Sequence, residues 1–87
     1  MAYSVKLFTH DAKTKTFTAF ISDVFVRGEF VLPLVLVSDM GSEATFFLME
    51  TEKDEEGDTL CWHFEPSPES VEANPRLAGY SLKLFND

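Results

Sequence analysis

Thr59-Leu60-Cys61-Trp62-His63-Phe64-Glu65 is the stretch whose reading decides the fold class. Leu60, Trp62 and Phe64 occupy alternate positions, and Thr59, Cys61, His63 and Glu65 fill the gaps between them. A period of two belongs to a β-strand with one buried face, because successive side chains point to opposite sides of the pleat. Leu60, Trp62 and Phe64 are therefore expected to face inward and the other four outward.

Upstream, Asp54-Glu55-Glu56-Gly57-Asp58 reads as the tip of a hairpin, with Gly57 free to take a positive φ. The segment before it, Ala44 to Thr51, is open to two readings. Ser42 is placed to cap a helix, but Thr45-Phe46-Phe47 has poor helix propensity, and a strand is preferred. Ser38 to Ser42 forms a turn cluster. Phe30 to Val37 is apolar on both faces, and Pro33 inside it cannot donate to a ladder, which predicts an edge strand or a bulge. Thr16 to Val26 is rich in Thr, Phe, Val and Ile and forms a hairpin with residues 3 to 9 through the polar connection 10 to 15.

Downstream, Ser67-Pro68-Glu69-Ser70 carries the marks of a helix start: a Ser N-cap, Pro in the first position and an acid in the first turn. Pro75 stops that helix within two turns. The chain then closes on Tyr80-Ser81-Leu82-Lys83-Leu84-Phe85, a near copy of Tyr3-Ser4-Val5-Lys6-Leu7-Phe8. Residues 10 to 43 have no second copy in 44 to 78, so shared packing demands account for the match better than a duplication. Both segments are expected in the sheet, with the two as candidate neighbours. Residues 1–87 thus read as a single all-β (β-rich) domain. It has six short, mainly antiparallel strands in a small barrel or sandwich and one short helix near 68–74.

Composition bounds the function. A chain of 87 residues buries only about 60–65% of its unfolded surface. Nine Phe, two Tyr and one Trp offset that small core. With one cysteine, Cys61, no intrachain disulfide forms. The alternating start lacks the apolar run of a signal peptide, and Phe30 to Val37 falls far short of the roughly 20 residues of a membrane span. A cytoplasmic protein without membrane contact is expected.

The net charge of −8 is unevenly placed. Residues 43 to 72 hold ten acids against one base, Lys53, a local charge of −9. Such a field repels nucleic acid and attracts basic proteins. The expected partner-binding residues are Glu50, Glu52, Asp54, Glu55, Glu56 and Asp58. Mimicry of a nucleic-acid backbone is one form that engagement takes.

The same loop brushes against a calcium pattern, with Asp54, Glu56, Asp58 and Glu65 at loop positions one, three, five and twelve. Thr59 stands where the loop needs Gly, and a solvated hairpin tip is preferred. Cys61 and His63 share a strand face, but only His10 remains to join them. That is too few partners for a nucleophile or a zinc site, and neither catalysis, metal nor cofactor is expected.

Two-sided apolar strands point instead to self-association. Phe30, Leu32, Leu34 and Val35 are its expected contacts, joined by Phe8 and Phe85, and Phe20 likewise falls on a nominally polar face. The expected function is a non-enzymatic protein–protein interaction module, self-associating, whose acidic face at residues 43 to 72 engages a basic partner. The alternatives are an assembly component whose function is its oligomer, and a small ligand-binding barrel using the Cys61/His63 face.

Overall fold

A computed structural model describes residues 2–4, 9–24, 32–37 and 42–86 of the chain. The strands are β1 (Ala2–Ser4), β2 (Thr9–Asp11), β3 (Thr16–Phe20), β4 (Leu34–Val37), β5 (Glu43–Lys53), β6 (Thr59–Pro66) and β7 (Ser81–Phe85). They join one sheet in the order β1-β4-β5-β6-β7-β3-β2. Five longer strands, β3 to β7, form its body and curl into a half-barrel, with β1 and β2 as three-residue segments at the two edges. The body thus has five strands where six were expected. The expected first strand, residues 3 to 9, is split between opposite edges, and its residues 5–8 lie outside the described residues.

Chain connectivity explains the curl. Ser4 and Thr9 are five residues apart, so the two edges approach within about 18 Å, the reach of that much extended chain. A flat sheet of seven strands would be roughly 29 Å wide at the usual strand spacing.

Pairing is mainly antiparallel, with two parallel exceptions, β1 with β4 and β3 with β7. Within the similar end segments, β1 and β7 are not neighbours. Residues 81–85 run between β6 and β3, while residues 2–4 line the β4 edge.

The segment Ala44 to Thr51 lies in β5, as a strand. Two expected strands are shorter than their apolar runs. β3 stops at Phe20, and Ile21–Val24 form a single helical turn, α1. Ser22 and Asp23 interrupt the apolar run there with residue types that are poor in strands. β4 starts only after Pro33 and pairs on both sides, so the proline precedes the ladder instead of forming an edge within it.

The core lies on one face of the sheet. Leu34, Leu36 and Phe46 come from β4 and β5, Phe64 from β6, Leu82 and Leu84 from β7, and Ala19 and Ile21 from β3 and the turn after it. Phe17, Ala44, Leu48 and Trp62 pack against this cluster. Phe17 also stacks on Tyr80, with ring centroids 4.8 Å apart. The outer face carries Thr16, Thr18 and Phe20 of β3, Lys83 and Phe85 of β7, Cys61 and His63 of β6, and Val35 of β4 in the alternate register.

The helix α2 (Pro68–Ala73) begins as its sequence implies. Ser67 is its N-cap, and the Ser67 hydroxyl accepts from the Ser70 backbone N–H at 3.1 Å. Its helical pattern ends at Asn74, and Pro75–Leu77 continue as a 3-10 turn. The cap also extends the sheet. Ser67 N–H donates to the Thr45 carbonyl at 2.8 Å, and Thr45 N–H donates to Ser70 Oγ at 2.8 Å. Where β6 leaves the ladder, the helix start thus takes over both backbone groups of Thr45.

Candidate functional site

Two irregularities in the β5–β6 ladder decide which side chains reach the outer face. The register runs from Leu48↔Phe64 directly to Glu50↔His63, leaving Met49 without a partner in β6. Such an extra residue shifts all later side chains by one position. Ala44, Phe46 and Leu48 face the core at even positions, and uninterrupted alternation would send Glu50 and Glu52 the same way. Past Met49 the core-side position passes to Thr51, opposite Trp62, and Glu50 and Glu52 turn outward beside His63 and Cys61.

The second irregularity lies between Glu52↔Cys61 and Lys53↔Thr59 and leaves Leu60 without a partner in β5. Leu60 is 49% exposed, not inward as its alternation implied. Trp62 and Phe64 do face the core.

The expected partner-binding acids lie along one hairpin. Glu50, Glu52, Glu55, Glu56 and Asp58 are exposed, and Asp54 is half-buried. Asp54 has a structural task. Its Oδ1 accepts from the Glu56 and Asp58 backbone N–H groups, both at 2.9 Å, and its own N–H donates to the Asp58 carbonyl at 2.9 Å. Gly57 takes φ 90° at this tip, a conformation that favours glycine.

On the outer face, register places Glu50, His63, Lys83 and Thr18 in one row across β5, β6, β7 and β3. Glu52, Cys61, Phe85 and Phe20 form the next row. The two rows are bridged by His63 Nε2, which lies 3.0 Å from Glu52 Oε1. That is ion-pair distance, but Nε2 is buried and has no aligned hydrogen-bond partner among the described residues. The His63 side chain is 16% exposed.

Cys61 sits between Glu52 and Phe85 and is only 1% exposed, although its strand position is outward. Burial raises its thiol pKa, and the nearby Glu52 charge adds to the rise while Lys83 opposes it. A nucleophilic thiol needs the opposite shift. Its Sγ donates instead to the Trp62 carbonyl at 3.8 Å.

Among the described residues, the expected self-association positions fall on both faces of the sheet. Leu34 is fully buried in the core and offers no exposed contact. Its parity in β4 puts it opposite Phe46 on the core side. Val35 is half-buried on the outer face, and Leu32 and Phe85 are exposed. Phe8 and Phe30 lie outside the described residues.

Phe85, expected as a self-association contact, and Phe20 are brought together as an aromatic pair in the second row. Phe20 and Phe85 are 52% and 37% exposed, with ring centroids 6.4 Å apart. Their signal was the placement of both on nominally polar strand faces. Beside them an open groove of about 350 Å³ is lined by Asp11, Thr14, Thr16, Thr18, Lys83 and Phe85.

Comparison with protein-family models, with curated proteins and with solved structures finds no match. Among the described residues no helix is long and apolar enough to cross a membrane.

Proposed function

We propose that this chain is a non-enzymatic interaction module whose β5–β6 hairpin engages a basic partner protein. One observation carries the reading: Met49 to Asp58 form a nearly continuous exposed run with six acids and one base, Lys53, on a hydrogen-bonded hairpin. A hairpin holds those carboxylates in a fixed array, and a fixed array steers and orients a cationic surface better than a floppy acidic tail. A protein groove that ordinarily receives nucleic-acid phosphates is one such surface. The reading takes the chain to be cytoplasmic, in keeping with its lone cysteine.

The test changes Glu50, Glu52, Glu55 and Glu56 to Gln and leaves Asp54 to hold the turn. Proteins captured from a lysate are compared at about 0.1 M and about 1 M salt, where the Debye length falls from about 10 to about 3 Å. Capture by the parent should fail at high salt, and capture by the neutralised variant at both. A neutralised variant that retains the same partners at low salt refutes the reading.

A second reading, self-association, rests on the exposed Leu32, Phe47 and Met49, which lie where β5 runs on past its pairing with β4. Light scattering decides it: a monomer at tens of micromolar removes it.

A further inference from the structure

We propose that Phe20 and Phe85 are the apolar anchor point for the basic partner, which binds as an amphipathic segment laid across the outer face from β3 to β5. The inference rests on the hairpin reading above and adds the apolar half of the partner's chemistry.

The pair contributes little to the core. Its strand neighbours Ala19 and Leu84 supply the buried side chains, while Phe20 and Phe85 stand on the opposite face, exposed and in contact with each other. Interface centres are enriched in aromatic side chains and depleted of charge, with charged groups at the rim.

Register fixes the layout. Phe20, Phe85, Cys61 and Glu52 share one row, so Glu52 lies two strands from Phe85 and three from Phe20. At the usual strand spacing those separations are about 10 and about 14 Å. Glu50 sits one row away at the same edge. A matching segment therefore carries an aliphatic or aromatic side chain and, about 10 to 14 Å from it, a Lys or Arg.

Lys83, which lies between the two ends, sets the register of such a segment. It repels a base placed over β7 and leaves Glu50 and Glu52 as the acceptors. Charge also selects the occupant. A second copy would bring another −8 and another Glu52 edge to this face, whereas a basic segment neutralises it.

Two synthetic peptides of equal positive charge serve as probes. One carries a Leu with Arg residues four positions along an extended chain, roughly 13 Å away, and the other has Ser in place of Leu. Each is titrated into the full chain at about 0.1 M salt while backbone amide NMR shifts are followed. The Leu peptide should bind about tenfold more tightly, the effect of burying one aliphatic side chain, with shifts at 18–20 and 83–85. Phe20→Ser with Phe85→Ser should erase that difference, and Glu50→Gln with Glu52→Gln should weaken both peptides. If the double Phe variant unfolds, Phe20→Thr alone should reduce the preference.

Equal binding of both peptides at residues 50–58, without shifts at Phe20 and Phe85, overturns the inference and leaves the acidic hairpin standing. Binding of neither overturns both. Concentration-dependent shifts at Phe20 and Phe85 without peptide make a second copy the occupant and likewise overturn it.

Discussion

At the scale of residues, Phe64 and Leu60 show how far alternation on one strand predicts burial. Both were expected inside, yet Phe64 is wholly enclosed and Leu60 is half in solvent. Phe64→Ala should cost about 3–5 kcal/mol, because it removes a large side chain from a packed site. Leu60→Ala should cost under about 0.5 kcal/mol, as exposed substitutions usually do. Urea denaturation of both variants checks the contrast, and similar midpoints would mean that Leu60 is packed.

Cys61 makes a pH-dependent prediction. Burial raises its pKa in the fold, so the neutral thiol is the form the fold favours. Its contribution to stability is full below the ordinary thiol pKa of about 8.5 and is lost as pH rises through the higher folded value. The parent should therefore lose more stability than Cys61→Ala between neutral and alkaline pH. Parallel pH dependence of the two melting midpoints would show that the thiol titrates freely.

At the scale of elements, the junction of β6 with α2 has a specific chemistry. Ser67 is 2% exposed, caps the helix and bonds Ser70 Oγ at 2.9 Å, while Ser70 Oγ accepts the Thr45 N–H. Ser67→Ala should cost about 1 kcal/mol, the usual value of an N-cap. Ser70→Ala orphans the Thr45 N–H and should cost about 1–3 kcal/mol. Because the hydroxyls are bonded to each other, the double variant should cost less than the sum. Strict additivity in chemical denaturation would show that the two bonds act separately. The helix start was legible in the sequence because capping is local. The tie to Thr45 was not, because it spans 25 residues.

At the scale of the whole molecule, β7 is the strand that holds the half-barrel together. It pairs with β6 on one side and β3 on the other, and its Leu82 and Leu84 are fully buried. Asn86 adds bonds to the Thr59 and Leu60 carbonyls. Deleting residues 80 to 87 should remove the cooperative thermal transition followed by circular dichroism. A truncated chain that melts near the parent's temperature would mean that the core forms without β7.

The strand at residues 59–65, the acidic hairpin tip and the capped helix start were determined by the sequence itself. Each depends on side-chain periodicity or on bonds between residues a few positions apart. Which face each side chain occupies was decided only by the tertiary structure. Alternation breaks at Met49 and Leu60, and a bulge is a property of two strands paired in register, invisible along either one alone. That single slip at Met49 turns Glu50 and Glu52 from the core side to the face they share with His63, Lys83 and the Phe20–Phe85 pair. The same holds for the chain ends. Their near-identical sequences do not choose their partners: β7 pairs in parallel with β3 and β1 with β4, contacts between segments far apart in sequence.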